Sequence, residues 1–90
     1  MKLLDFHADW CGPCGQQEEM LEDFEAEVDE EVVQVERIDV DENTDRANEY
    51  TVRGLPTLVL LNDNGEVVTR FTGLTQPDEL LDAVSSSTAT

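Results

Sequence analysis

Short apolar runs recur along the chain, and their spacing changes between a period of two and a helical period. Four runs have the composition or alternation of strands: residues 2–8, 32–40, 57–61 and 67–71. Three stretches repeat apolar residues at helical spacing: residues 13–28, residues 44–50 and a stretch that begins near Thr75. The predicted order is therefore βαβαββα, which is an α/β arrangement.

The first predicted strand places an acidic residue on a face that should be buried. Leu3, Asp5 and His7 share one face of this strand, whose apolar character suits an interior strand. A buried carboxylate is costly unless it is neutral or has a partner. Asp5 is therefore either a strand-end residue that reaches water or a proton acceptor inside the protein, and position alone leaves both interpretations open.

Turn and capping residues mark where the predicted elements end. Asn-Gly at residues 64–65 predicts a hairpin between the third and fourth strands. Thr75 and Asp78 form a Thr-x-x-Asp capping pattern ahead of the last helix. We expect a single small domain over residues 1–84, followed by a flexible polar tail over residues 85–90.

The charge balance is unusual for a chain of 90 residues. Acidic residues outnumber basic ones by 22 to 5, which gives a formal net charge of −17. Such a surface excludes binding to nucleic acid or to an anionic membrane. Three explanations of this charge are a disordered chain, binding to one basic partner, and adaptation to high salt. High salt would screen the repulsion between carboxylates, because the Debye length falls to ~3 Å at 1 M salt. Regular apolar segments argue against disorder, and acidic residues spread along the whole chain favour high salt.

Both cysteines lie in the stretch Trp10-Cys11-Gly12-Pro13-Cys14. Residues three apart on a helix have Cβ atoms about 5–6 Å apart, which is close to the geometry of a disulfide. The Cys-x-x-Cys pair therefore suits a bond that opens and closes. The pair also supplies two zinc ligands, but a closed zinc site needs four, so a metal would require two chains.

We expect a cytoplasmic location from the cysteine usage and the apolar pattern. The chain shows no apolar segment at its start that is long enough for a secretory signal, and no stretch approaches the roughly 20 apolar residues of a membrane span. A Cys-x-x-Cys pair without a signal sequence is typical of cytosolic redox chemistry.

The five-residue cysteine motif resembles the active site of the thioredoxin family. Asp5-Phe6 ahead of it, and residues 54–57 and 64–67 after it, match further family motifs in the expected order. The resemblance covers residues 2–84 and implies the minimal thioredoxin fold, a four-stranded mixed sheet with helices on both faces. The resemblance begins at the strand of the buried aspartate, so we do not expect within these residues the extra strand and helix that most members carry before it.

The resemblance assigns roles to the central residues. It implies that Cys11 is the exposed nucleophile, that Cys14 is the resolving thiol, and that Asp5 takes the proton from Cys14. The free N–H groups of a helix start should lower the pKa of Cys11. Arg37 matches a position where many members hold a lysine near the aspartate. Because arginine stays protonated, it can tune Asp5 but cannot share its proton.

The resemblance also identifies residues that support the site. Gly12 and Pro13 would set the redox poise, and proline at this position favours a reductant. Pro56 is expected to form a cis peptide that leaves the backbone of Leu55 free to pair with an extended substrate; its alternative is an ordinary trans turn. The implied docking rim consists of Trp10, Leu55, Gly73 and Leu74. Without the family match, Trp10 is equally compatible with a core position.

Two departures from the family pattern lie close to the cysteine motif. His7 occupies a position where thioredoxins usually carry an aromatic residue. It is either a packed neutral histidine or one that tunes the site near neutral pH. Gly15 replaces the usual basic residue after the second cysteine.

The implied function is a protein-disulfide reductase, or dithiol electron carrier, adapted to high salt. Its own cysteine pair would carry the electrons as a dithiol and form a disulfide on releasing them, without a separate cofactor or metal. Expected partners are a thioredoxin reductase or another dithiol donor, and disulfide-containing target proteins, with the chain as a monomer. The acidic composition resembles that of haloarchaeal cytoplasmic proteins. The alternatives are a glutaredoxin-like thioltransferase, for whose glutathione pocket no clear basic residues are present, and a module that binds a metal or cluster through the cysteine pair.

Overall fold

A computed structural model of the chain describes residues 1–88 and has the predicted βαβαββα order. Its strands are β1 (Lys2–His7), β2 (Gln34–Asp39), β3 (Thr57–Leu61) and β4 (Val67–Thr72). Its helices are α1 (Gly12–Glu27), α2 (Thr44–Glu49) and α3 (Pro77–Thr88).

The four strands form one mixed sheet in the order β2-β1-β3-β4. β1 runs parallel to β2 and antiparallel to β3, while β3 and β4 form the predicted antiparallel hairpin. The register sets Asp5 opposite Arg37 of β2 on one side and Leu58 of β3 on the other. The residue at the centre of the candidate chemistry therefore lies in the middle of an interior strand.

Successive side chains of β1 point to opposite faces of the sheet, and each face carries a hydrophobic cluster. The cluster beneath α1 and α3 contains Leu3, Leu21, Phe24, Val33, Leu58, Leu60, Leu80 and Val84. The cluster beneath α2 contains Leu4, Phe6, Ile38, Ala47, Val59 and Leu61. Helices therefore cover both faces, as predicted. Because side chains two apart share a face, Asp5 lies with Leu3 on the side of α1.

β2 begins two residues later than its valine-rich pattern predicts. The N–H groups of Val32 and Val33 both donate to the carbonyl of Asp29, at 2.8 and 3.0 Å, and so close a turn after α1. Strand pairing starts only at Gln34, opposite Lys2. A run of valines is thus partly used to close a turn rather than to extend the sheet.

The N-terminal cap of α3 differs from the predicted Thr75–Asp78 pattern. The helix begins at Pro77, and the backbone N–H of Gln76 donates to Oε2 of Glu79 at 2.9 Å. The hydroxyl of Thr75 instead donates to the carbonyl of Gly73 at 3.1 Å. The capping prediction was therefore one residue out of register, with Glu79 in the place expected for Asp78.

α3 also continues into the segment predicted as a tail. The helix extends through Thr88, and the hydroxyl of Ser87 donates to the carbonyl of Ala83 at 2.8 Å. Residues 85–88 are thus helical, although their small polar side chains show no apolar spacing. Positions 89–90 of the predicted tail lie outside the described residues, and the domain limit at residue 84 stays a prediction.

The helices are short in comparison with a bilayer. α1 has 16 residues, α3 has 12 and α2 has six. A membrane-spanning helix needs roughly 20 predominantly apolar residues. None of the helices within residues 1–88 has the length and apolar character to cross a membrane.

Candidate active site

A disulfide joins Cys11 and Cys14 at the start of α1, with Cα atoms 5.4 Å apart. Cys11 occupies the N-cap position with an extended backbone, and Pro13 lies in the first turn, where its missing N–H costs nothing. The N–H of Cys11 donates to the carbonyl of Ala8 at 3.1 Å, which fixes the turn out of β1. The sequence therefore places both sulfurs at the one end of the helix where N–H groups lack intrahelical partners.

The two cysteines differ in exposure. Cys11 is partly exposed, whereas Cys14 is only 8% exposed. No acidic side chain lies in the first turn of α1, so nothing in that turn opposes a negative sulfur. After reduction, the dipole and free N–H groups of the helix start would stabilise a thiolate at Cys11.

Asp5 is a buried carboxyl group on the same side of the sheet. Its side chain is 2% exposed, and Oδ1 has no hydrogen-bond partner among the described residues. Burial raises the pKa of Asp5 from the usual 3.8 to about 6, because the charged form loses its hydration. His7 and Arg37 act in the opposite direction, while Glu18 adds to the rise. Asp5 is therefore a buried residue rather than an exposed strand-end residue, and its raised pKa of about 6 lies close to neutral pH.

An open cavity of about 370 Å³ brings this carboxyl group together with the sulfurs. We call it the active-site cavity; it is lined by Asp5, His7, Ala8, Asp9, Cys11, Gly12, Cys14, Gly15, Glu18 and Arg37. A Cβ atom added at Gly12 or Gly15 would meet nothing within 4 Å, so the entrance beside the helix start is unobstructed. The volume is sufficient for water to connect Asp5 with Cys14.

Arg37 lies beside Asp5 in the register, but its hydrogen bonds go elsewhere. Its Nε donates to both carboxylate oxygens of Glu18, at 2.7 and 2.8 Å, and Nη2 donates to Glu25 at 2.6 Å. These two carboxylates of α1 raise the pKa of Arg37 well above its usual value. The guanidinium therefore influences Asp5 through its field, while its donors tie β2 to α1.

A turn before β3 and a loop before α3 form a second part of the site. The Leu55–Pro56 peptide bond is cis, the isomer that the resemblance implied. The N–H of Gly73 donates to the carbonyl of Pro56 at 2.9 Å, and Gly73 has a φ of +91°, which favours glycine. Leu74 follows with 43% of its surface exposed.

Trp10 stands at the surface and is 70% exposed, which excludes the core interpretation. Its indole Nε1 donates to Oδ2 of Asp41 at 2.9 Å. A cavity of about 300 Å³, the docking groove, is lined by Trp10, Val40, Ala47, Val52, Arg53, Gly54 and Leu55. The structure thus brings together two residues of the docking rim, Trp10 and Leu55. Gly73 and Leu74 do not line this groove.

Sequence reasoning missed two polar residues that organise the site. Asp41 follows β2 in a run of acidic residues, and its carboxylate accepts the hydrogen bond from the indole of Trp10. Gln17 is a polar residue of α1, yet it is fully buried. Its position was readable, because Cys14, Gln17, Leu21 and Phe24 are the buried residues of α1 and recur at intervals of three and four.

Within the part of the chain that the structure describes, no three residues among histidine, cysteine, aspartate and glutamate are arranged to hold a metal ion. The cysteine pair lies at a helix start beside a buried carboxyl group, and the same chain has a cis-proline before β3, on a mixed sheet with helices on both faces. This combination of fold and site defines a class, the Cys-x-x-Cys disulfide proteins built on a mixed sheet.

Comparison with known proteins identifies the family within this class. The Thioredoxin family model matches residues 1–86. The chain therefore belongs to the thioredoxin family. It is 40% identical over 83 residues to thioredoxin of Bacillus subtilis (strain 168), across 92% of this chain and 78% of that relative.

Two further relatives differ in length and source. The chain is 41% identical over 78 residues to mitochondrial thioredoxin of Mus musculus, covering 87% of this chain and 46% of the relative. It thus spans about half the length of that mammalian protein. The structure is also similar to a mutant thioredoxin from Halobacterium salinarum NRC-1, with a TM-score of 0.84 and 47% identity. That match covers 94% of this chain and 72% of the other. The family and fold expected from the sequence are confirmed.

Proposed function

We propose that the chain reduces disulfides in other proteins through its cysteine pair. The observation that carries this proposal is the pairing of a partly exposed Cys11 with a buried Cys14 above a buried carboxyl group. An exposed sulfur can meet a target, and a protected one can complete the exchange without competing for it.

The first half of the reaction is an attack by Cys11. Its thiolate forms a bond to one sulfur of the target disulfide, and the other target sulfur leaves as a thiolate, which takes a proton from water. Chain and target are then joined by a mixed disulfide. The helix start supports this step because it favours the thiolate form of Cys11.

The second half resolves the mixed disulfide. Cys14 transfers its proton to the carboxylate of Asp5, directly or through water in the active-site cavity, and the resulting thiolate attacks the sulfur of Cys11. The second target sulfur leaves as a thiolate. Two electrons have passed to the target, and the chain holds its disulfide again. A pKa of about 6 leaves Asp5 mostly ionised at neutral pH and still basic enough to accept the proton.

A dithiol donor must return the chain to its reduced form. We assign this role to a thioredoxin reductase or another dithiol, and the two sulfurs carry the electrons without a separate cofactor. Trp10 and Leu55 in the docking groove, with Gly73 and Leu74 beyond it, would receive an extended target segment. Gly12 and Pro13 would set the poise towards reduction.

The acidic composition indicates the conditions in which this function would operate. We propose that the chain works as a monomer in a cytoplasm of high salt, where its 22 carboxylates are screened. The similarity to a thioredoxin of Halobacterium salinarum supports this setting.

Neither alternative is favoured. A glutathione-binding thioltransferase needs free cations, but Arg37, the one lysine or arginine lining the active-site cavity in the described residues, is paired with Glu18 and Glu25. A metal module needs more ligands than the cysteine pair supplies.

The test is insulin reduction with dithiothreitol as donor, in dilute buffer and in molar KCl. Wild type should catalyse the reduction, and Cys14→Ser should not turn over because its mixed disulfide cannot be resolved. A second control is Gln16→Ser, which changes an exposed position of the same helix and should keep wild-type activity. Absence of catalysis by wild type at every salt concentration would reject the proposal.

A further inference from the structure

A side-chain amide is buried where α1 meets the loop that precedes α3. Gln17 is 0% exposed, its Nε2 donates to the carbonyl of Thr75 at 3.0 Å, and its Oε1 accepts from the N–H of Thr75 at 2.8 Å. The amide therefore pairs with both backbone groups of one residue, as a neighbouring strand would. The two residues are 58 positions apart in the chain.

Packing alone does not explain an amide at this position. The other buried residues of α1 are Cys14, Leu21 and Phe24, and an apolar side chain would continue that stripe. Burying an amide is unfavourable unless its donors and acceptors are paired. Because the amide is paired on both sides, it fixes one particular backbone position of Thr75, whereas an apolar contact would allow the loop to slide.

Further hydrogen bonds connect Thr75 with the cis-proline turn before β3. The hydroxyl of Thr75 donates to the carbonyl of Gly73 at 3.1 Å, and the N–H of Gly73 donates to the carbonyl of Pro56 at 2.9 Å. The helix that begins at the disulfide, the loop of residues 73–75 and the turn at Pro56 are thereby tied in series. Two members of the docking rim, Gly73 and Leu74, lie inside this tied segment.

We propose that Gln17 is a positioning residue for substrate docking, which holds the 73–75 loop at a fixed place relative to the disulfide. This inference rests on the proposed reduction of protein disulfides. Gln17 does not line the active-site cavity, so it should leave the chemistry of the sulfurs unchanged. Its effect should appear as affinity for an extended protein substrate, because a preformed surface avoids the entropic cost of ordering the loop on binding.

The test compares Gln17→Leu, which keeps the size and removes both hydrogen bonds, with Gln16→Leu, the same change at the exposed neighbouring position. For insulin, KM of Gln17→Leu should rise about tenfold as preorganisation is lost, with kcat within about twofold of wild type. For a small aromatic disulfide that needs no docking surface, the rate should equal that of wild type. Gln16→Leu should match wild type with both substrates.

Three results would overturn the proposal or its basis. An unchanged KM for insulin in folded Gln17→Leu would show that the tie does not position the loop. Equal losses with insulin and with the small disulfide would show a general effect on the reacting sulfurs instead. Failure of wild type to reduce insulin would reject the proposed function itself, which is a separate outcome.

Hydrogen exchange decides the question if Gln17→Leu does not fold. In wild type, the Thr75 N–H should exchange as slowly as the amides of Leu21 and Phe24 in the buried stripe of α1. Exchange at the rate of an exposed loop would overturn the proposal. The conservative variant Gln17→Met, whose unbranched side chain tolerates buried positions, gives a second measurement of KM.

Discussion

Asp5 combines a structural cost with a chemical use. Asp5 is 2% exposed and lies in an interior strand, so its charged form is poorly solvated. The pKa of Asp5 is raised from 3.8 to about 6, and a shift of about two units corresponds to roughly 3 kcal/mol. This free energy is lost to the folded state whenever the group is ionised. The proposed proton transfer from Cys14 gives a reason to retain a buried carboxyl group at this position.

The first prediction concerns Asp5→Asn. Below pH 3.8 Asp5 is protonated in both states and costs little. Between about pH 4 and 6 the folded state holds the proton that the unfolded state has lost, so wild-type stability falls as pH rises. The free energy of unfolding is measured by urea denaturation. The difference between Asp5→Asn and wild type should grow in favour of the variant by about 2 kcal/mol between pH 4 and pH 7. The variant should also reduce insulin more slowly at pH 7.

Asp9→Asn is the matched control, since Asp9 is an exposed carboxyl group lining the same cavity. Its stability should run parallel to that of wild type across this pH range. A constant difference between Asp5→Asn and wild type would mean that Asp5 does not titrate differently in the folded and unfolded states.

The sequence indicated the disulfide, the buried acid and the cis peptide because their signals are local. The cysteine pair and Pro56 stand in compact motifs, and Asp5 was visible as an acid in an apolar strand. Gln17 and Asp41 were missed because their partners lie 58 and 31 positions away in the chain. A side chain's hydrogen-bond partner at that separation depends on how helices dock on the sheet, which periodicity does not report.

At the scale of elements, α1 carries two carboxylates that bind the same guanidinium but face different surroundings. Glu18 lines the active-site cavity and raises the pKa of Asp5, whereas Glu25 contacts Arg37 from outside the cavity. All three side chains of this ion-pair network are between 31% and 40% exposed, so each pair contributes little to stability.

The two glutamates therefore give a second, matched prediction. In Glu18→Gln the pKa of Asp5 should fall below its wild-type value, because one negative neighbour is gone and Arg37 loses a competing partner. Glu25→Gln should leave that pKa nearly unchanged. The measurement is the pH titration of the Asp5 carboxyl carbon by NMR. Equal shifts in both variants would show that the helix acts on Asp5 as a whole rather than through Glu18.

The sequence predicted the type and order of the helices and strands correctly, but it predicted where they begin and end less accurately. Apolar spacing is set by the sheet and its two clusters, so it predicts the interiors of β1, β3 and α1 closely. The ends of β2 and α3 depend on backbone hydrogen bonds, such as those from Val32 and Val33 to Asp29, which hydrophobic patterning does not encode.

For the whole molecule, the dominant property is uncompensated negative charge. The ion pairs of the described residues use few of the 22 acidic side chains, and two cations, Lys2 and Arg46, converge on the single carboxylate of Glu36. Within residues 1–88, Arg70 donates to the carbonyls of Tyr50 and Thr51 and forms no ion pair with an acid. Mutual repulsion among the remaining carboxylates therefore opposes the compact state in dilute buffer.

The third prediction follows from this repulsion. The Debye length falls from ~30 Å at 0.01 M to ~3 Å at 1 M salt, so most of the repulsion should vanish in molar KCl. We expect the melting temperature to rise by about 10 °C or more, since 1 kcal/mol shifts it by roughly 4–8 °C in a domain of this size. NaCl at equal ionic strength should act similarly if screening is the cause. Equal melting temperatures in dilute and molar KCl would contradict the proposed adaptation to salt.

The exposed position of Trp10 gives the molecule an optical property of its own. It is the only tryptophan in the chain, it is 70% exposed, and it directly precedes the half of the sulfur pair that would meet a target. A nearby disulfide quenches indole fluorescence by electron transfer, and removal from water shifts the emission to shorter wavelength. We therefore expect the brightness and colour of a single native residue to change with the oxidation state of the cysteines and with binding of a target in the docking groove, without any added dye.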